Sequence, residues 1–458
     1  MVEVQLTKVT EKIVDYPRTK MSKFLYILVW TFHLSLLATC YVAETSESVD
    51  CVCQFLQEHD FRGEIELPSS PGYSETIAID NKRVVVYPDI VLVPFNEKDV
   101  SLSVLAARHC ESAYAVRSGG HSAAGYCLSS GGITLDIGRG LNKVKNLPSI
   151  GETGMMYVES GALWASVYVT AQDTPYIPIG GGCPTVGTSG FLLGGGWSFL
   201  SRSHGLGGDN ILSLRIVLAN GTAVTASRTA NRDLFWACQG AGGGNFGVVT
   251  SFIIQTHVPR SERMLIGELC WPPFDKTTVE GVWYWWLNFW PRMPSFLDVT
   301  PAWLLLDSAD GMRRNKRSLD GRTFTSSSAR QFCFTVICNG DPASECRPII
   351  DPLIQAFPPQ TNTLEEIEYI EWSLANVNVT DAQEGFLYLT SGVLLPGAMT
   401  VPLISQLVDV LQAAPSEKNL ILFHIGGGKI AELSPTDTSF VHRDIELLIQ
   451  IKGVGKVY

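Results

Sequence analysis

The sequence predicts an α+β protein in two parts, and three observations carry that reading. Between residues 84 and 260, short β-branched runs alternate with segments of helical apolar spacing. After about residue 260 the chain turns rich in Trp, Tyr and Phe, and strand-like runs recur, which predicts an antiparallel sheet covered by helices. Between them lies 178–208, PIGGGCPTVGTSGFLLGGGWSFLSRSHGLGG, too rich in glycine for an ordinary helix or strand. Glycine is used where backbone must turn with φ > 0 or press closely on a ligand. The apolar residues Phe191, Leu192, Leu193, Trp197, Phe199 and Leu200 argue that this loop is buried and cradles a ligand rather than moving freely at the surface.

Taken in order, residues 24–43 form the only long apolar run, with Lys20 and Lys23 before it. A secretory signal fits, as do a single membrane anchor and a cytosolic apolar N-terminus. A cleaved signal is the expectation, and translation from Met21 would give it a cleaner start. Residues 84–94, VVVYPDIVLVP, read as strand, turn and strand, broken at Pro88-Asp89. Residues 97–110 have helical spacing. Residues 113–116 and 133–137 read as strands on either side of the glycine turn Arg117-Ser118-Gly119-Gly120-His121. Residues 156–160 read as a strand and 163–172 as a helix. The Asn220-Gly221 pair between 211–218 and 223–225 is a hairpin signal. A helix opens at 231–236, and 248–257 is a long strand. Further on, 332–339 and 420–425 read as strands, with helices at 345–356 and 402–413.

Gly242, Gly244 and Gly247 satisfy G-x-G-x-x-G, but a strand follows them instead of a helix. The context of a Rossmann dinucleotide site is therefore missing. A net charge of −11 excludes a nucleic-acid binder that relies on clustered Lys and Arg. The basic run 313–317 sits in a serine-rich polar stretch and reads as a solvated loop. Among eleven cysteines no two CxxC pairs occur, so no metal site is expected. Secretion would permit disulfides, with Cys51 or Cys53 to Cys110 the plausible bridge. The sequons at Asn220 and Asn378 are compatible with secretion.

Two reactive side chains, His121 and Cys183, stand in glycine-rich loops. Taken singly they read as a satisfied core histidine and an inert thiol. Their surroundings give them a different meaning. Arg117-Ser118-Gly119-Gly120-His121 resembles the histidine attachment motif of the berberine-bridge-enzyme-like, FAD-linked oxidases of the vanillyl-alcohol oxidase superfamily. Gly182-Cys183-Pro184-Thr185-Val186-Gly187, with Gly194-Gly195-Gly196 and the 202–210 run, resembles their cysteine attachment segment. Asp233-Leu234-Phe235-Trp236 and the 242–250 run resemble their closing FAD segment.

The resemblance implies a PCMH-type FAD-binding domain of two subdomains and an antiparallel-sheet substrate domain. The expected boundaries are 1–43 signal or anchor, 44–83 N-terminal segment, 84–260 FAD domain, 261–450 substrate domain and 451–458 a divergent tail. It implies FAD held by Arg117, Ser118, Gly119, Gly120, His121, Ser122 and Gly125 in the first loop. In the second loop it implies Gly182, Cys183, Pro184, Thr185, Val186, Gly187, Gly190, Gly194, Gly195 and Gly196. Asp209, Asn210, Gly247, Val248 and Val249 complete the set. His121 would bond the 8α-methyl carbon of the flavin and Cys183 its C6. Val186 falls at the family's oxygen gate, which implies dioxygen as partner and hydrogen peroxide as product. The implied partners are a small-molecule substrate and dioxygen, in a monomer that meets a membrane only if 24–43 is retained.

The sequence also departs from the family. Ala123 stands where many sugar-oxidising relatives carry an aromatic residue, which weakens an oligosaccharide assignment. The family's Tyr-x-Asn-Tyr stretch does not follow Phe440-Val441-His442-Arg443, so no catalytic base is assigned. Three readings compete: an oxidase of alcohols, sugars or secondary metabolites, a dehydrogenase with another acceptor, and an inactive flavin-binding remnant.

Overall fold

The computed structural model describes residues 46–455 apart from 80, 273–274, 307–328, 376–386 and most of 396–419. The 24–43 run, the basic run, the Asn378 sequon and most of the expected 402–413 helix lie outside the described residues. No helix among the described residues is long and apolar enough to cross a membrane. Among the described residues the chain is α+β, built on three sheets.

The first sheet has the order β1-β2-β4-β3, from strands Glu64–Glu66 (β1), Ile90–Val93 (β2), Tyr114–Arg117 (β3) and Ile133–Asp136 (β4). β2 and β3 both run parallel to β4. The helix Glu97–His109 carries the chain from β2 across to β3, and residues 118–132 return it to β4 between them. Asn96 caps that helix by accepting from the Asp99 N–H at 3.0 Å. Glu97 and Asp99 lie in its first turn and Arg108 and His109 in its last, as the helix dipole favours. Ile90, Leu92, Ile133 and Leu135 pack under it and under the helix Glu47–Glu58. Cys51 of the latter is bridged to Cys110. The expected strand at 84–87 does not form as part of any sheet, and Val85 and Tyr87 are exposed. Those apolar side chains find no core, so β-propensity alone does not make a strand there.

The second sheet is antiparallel, in the order β5-β6-β10-β8-β9, with β7 on one end of β10. Its strands are Val144–Ile150 (β5), Thr153–Glu159 (β6), Ile177–Pro178 (β7), Ile211–Val217 (β8), Ala223–Ser227 (β9) and Val248–His257 (β10). The Asn220-Gly221 hairpin forms, with Val217 facing Ala223 and Gly221 at φ +80°. β10 stitches the two cores. Val248 packs with the first sheet's core, while Val249, Phe252 and Ile254 pack with the second's.

The third sheet carries strands Met264–Trp271 (β11), Leu297–Leu306 (β12), Ala329–Cys338 (β13), Thr361–Asn362 (β14), Glu365–Ile367 (β15), Leu387–Leu395 (β16), Leu420–Ile425 (β17) and Leu447–Gly455 (β18). Its order is β14-β11-β13-β12-β17-β18-β16, with β15 also on β11. β18 runs through the boundary expected at residue 450. Period-two alternation gives this sheet two different faces. Leu265, Leu269, Trp271, Phe334, Val336 and Phe423 pack beneath the helices Lys276–Phe289 and Arg347–Ala356. Ile266 and Ile337 point the other way, into the core of the second sheet and the glycine-rich run.

Candidate active site

The histidine loop leaves the end of β3, and the cysteine loop leaves β7. Two glycines bring them together. A Cβ on Gly119 would lie 2.3 Å from the Gly187 N and 3.1 Å from the Thr185 carbonyl oxygen; one on Gly187 would lie 2.4 Å from Ser118 Oγ and 2.5 Å from the Gly119 N. Only bare backbone allows this approach. Ser118 Oγ also donates to the Ser160 carbonyl at 2.9 Å, and Gly187 forms a bridge with Leu163.

This packing places His121 and Cys183 at one point. His121 Nε2 lies 3.0 Å from Thr185 Oγ1, and Cys183 Sγ lies 3.3 Å from the same oxygen. His121 is half-buried, while Cys183 is exposed and carries no disulfide. Asp136, buried at the end of β4, holds the Arg117 guanidinium at 3.4 Å and caps the Gly138 N–H. Burial raises the Asp136 pKa, and the Arg117 charge opposes that rise.

The residues around these loops fit a bound dinucleotide with an anionic linker. Gly120 is buried in the left-handed region at φ +73°. The N–H groups of Gly119 and Gly120 donate to no acceptor among the described residues. Arg117 Nε, Ser160 Oγ and Thr188 Oγ1 are buried without a hydrogen-bond partner. Free backbone N–H groups on a glycine turn and spare polar donors are what a pyrophosphate takes. Open space lies beside Gly190, Gly243 and Gly244, where a Cβ would meet nothing within 4 Å.

The other expected cofactor residues are placed differently. Ser122 and Gly125 close a turn, with Ser122 Oγ accepting from the Tyr126 N–H at 3.0 Å. Gly182 lies against Phe199, and Pro184 is buried with its carbonyl accepting from the Ala165 N–H. Val186 is half-buried against the second core. Gly194 is exposed, whereas Gly195 and Gly196, at φ +99° and +75°, press on the rings of Phe440 and Phe191. Asp209 is engaged within the protein: its carboxylate takes both Arg443 nitrogens at 2.8 and 2.7 Å. Asn210 Nδ2 donates to the His204 and Leu206 carbonyls, and its Oδ1 lies 2.6 Å from His257 Nε2. Gly247, at φ +145°, packs on the Val217 carbonyl at the head of β10.

The sequence reading missed the polar row on the sheet face turned toward these loops. Glu268 of β11 stands opposite Thr335 of β13, which stands opposite Thr300 of β12. Asp298 lies two residues along on the same face and accepts from Thr300 Oγ1. Burial pushes Glu268 and Asp298 up to about 7. Such carboxyls can hold or release a proton near neutrality. Glu268 Oε1 is buried with no partner. His424 of β17 completes the face, with its ring 6.2 Å from that of Trp197. A lone carboxylate in the apolar strand MLIGELCW was the available signal.

Comparison with known proteins bears on the domain and the fold. Residues 88–227 match an FAD binding domain family. An uncharacterized FAD-linked oxidoreductase of Bacillus subtilis, YgaK, is 26% identical over 394 residues, covering 85% of this chain and 80% of that protein. The (R)-6-hydroxynicotine oxidase of Paenarthrobacter nicotinovorans is 33% identical over 213 residues, 46% of this chain and 45% of that one. Several further curated relatives are matched over about half of their length or less. In fold, the chain is similar to the BBE-like 1 protein of Physcomitrella patens, with a TM-score of 0.73 at 22% identity over 90% of this chain and 84% of that one. The fold, the matched domain and the glycine cradle together define a flavin-dependent oxidoreductase. The chain carries an FAD binding domain over residues 88–227 and has the fold of the berberine-bridge-enzyme-like proteins.

Proposed function

We propose that the FAD is bound covalently at two points, His121 and Cys183, and that the protein oxidises an alcohol, a sugar or a secondary metabolite. The observation that carries the double tether is the meeting of both side chains on one hydroxyl, at 3.0 and 3.3 Å. When bound, FAD supplies the hydride acceptor. The protein's own part is to fix the ring through the two loops, to bind the pyrophosphate on the Gly119 and Gly120 N–H groups, and to offer the 261–450 sheet face to the substrate. Glu268 and Asp298 stand on that face as groups able to take a proton. Dioxygen is proposed to reoxidise the flavin and give hydrogen peroxide, with Val186 gating its access. A monomeric, secreted protein is proposed; the disulfides Cys51–Cys110, Cys270–Cys333 and Cys338–Cys346 suit an oxidising compartment.

The test is flavin that survives acid precipitation. Wild-type pellets are expected to stay yellow, and His121→Ala and Cys183→Ala should each retain a single tether. The double variant should release all its flavin. A colourless pellet from folded, flavin-replete wild type would refute the tethers.

A further inference from the structure

We infer that Thr185 is the positioning residue that sets the protonation of both anchors together, an inference that rests on the double tether proposed above. A hydroxyl has one proton to give and two lone pairs to accept with. Thr185 Oγ1 is in contact with both Cys183 Sγ and His121 Nε2, so the two partners cannot be protonated independently through it. In one arrangement the thiol donates to Oγ1 and Oγ1–H donates to Nε2. Shifting both protons one place along leaves a thiolate accepting from Oγ1–H, with Nε2–H donating to Oγ1. The net change is one proton moved from sulfur to nitrogen, with none lost.

The thiolate is the reactive form of cysteine. The relay thus makes the nucleophile at Cys183 by using the histidine as proton acceptor. Each tether exchanges a flavin C–H for a C–N or C–S bond. The side chain gives up its N–H or S–H proton, and the flavin carbon gives up its hydrogen as a proton. Forming each tether would release two electrons, for which dioxygen, the acceptor proposed above, would be the oxidant, giving hydrogen peroxide with the two protons. The backbone holds Thr185 in register for this. Its carbonyl lies against Gly119, and the Cys183 carbonyl accepts from the Val186 N–H at 3.3 Å.

The experiment compares wild type, Thr185→Val and Thr185→Ser expressed as flavin-loaded protein. Protease digests are weighed for flavin peptides carrying His121 alone, Cys183 alone or both. Thr185→Val is expected to bind flavin but to carry at least tenfold less of the doubly linked product, and Thr185→Ser to restore it to within about twofold. If the valine variant loses its far-UV dichroism, Thr185→Ala against Thr185→Ser makes the same comparison. Equal double linkage in wild type and the hydroxyl-less variants overturns the inference while leaving the two tethers standing. Failure of serine to rescue also overturns it. Wild type without any linked flavin would overturn both the tethers and the inference.

Discussion

At the scale of single residues, the site turns on small side chains placed against backbone. Val186 is one of them. It follows Thr185 directly and packs half-buried against the second core. Val186→Leu is expected to slow reoxidation of the reduced flavin in air by at least tenfold, while anaerobic bleaching by an electron donor proceeds as in wild type. Stopped-flow absorbance in the two half-reactions checks this, and unchanged reoxidation would remove Val186 from the oxygen path. Residue identity made the two proposed anchors stand out in the sequence, because His121 and Cys183 each sit in a distinctive glycine loop. It did not reveal that one hydroxyl joins them, since that contact spans 64 residues of chain. Glu268 stayed hidden for another reason. Within an apolar strand its parity could be counted, but the partner of each sheet face could not.

At the scale of elements, the two loops work as one unit. Gly119 and Gly187 set their spacing, and neither has a flexible neighbour that could move aside, because the nearest atoms are backbone or a short serine side chain. Gly119→Ala should therefore force the loops apart, costing about 1–3 kcal/mol in the manner of an overpacked core. Thermal melting should show that loss, and acid-stable flavin should fall with it; a variant that melts and tethers like wild type would contradict this. Strands and helices with strong local signals, such as the helix Glu97–His109 and the hairpin of β8 and β9, were readable from periodicity and turn chemistry. The helix Lys276–Phe289 was not. Its tryptophans cover one sheet face, with Trp283 and Trp286 fully buried, and a run this aromatic all round masks its helical period.

At the scale of the molecule, the FAD part and the third sheet are joined by buried polar groups. The Arg202 guanidinium, 3% exposed, donates to the carbonyls of Met293, Leu297 and Gly426. His204 and His257 stack at 4.3 Å between Asn339 and Asn210. Burial holds His204 at about 3, with His257 adding to the effect, and holds His257 at about 4. Their contribution to stability is thus complete above their ordinary 6.5 and is lost as pH falls toward 4 and 3. Glu268 and Asp298 act in the opposite sense. Raised to about 7, they contribute most below the ordinary carboxylate range and lose that contribution as pH rises through 7. The two slopes oppose each other between about pH 4.5 and 6.5. Wild type should melt at nearly constant temperature across that window. The Glu268→Gln/Asp298→Asn double variant should melt a few degrees higher per pH unit, as the histidine slope then stands alone. Calorimetry at stepped pH decides, and parallel curves for the two proteins would contradict the assignment.

The order of strands in the third sheet bears on when the protein becomes competent. β12 pairs with β17, and β17 with β18, so its middle is closed by chain made more than a hundred residues later. Arg202 and Asp209 wait on the same late segments, since their partners include Gly426 and Arg443. During synthesis the glycine loop therefore emerges long before its Arg202 and Asp209 contacts can form. Non-local pairing of this kind is slow and leaves strand edges open meanwhile. Completion of the contacts that lock the glycine loop to the third sheet is thus a late event in the life of the nascent chain.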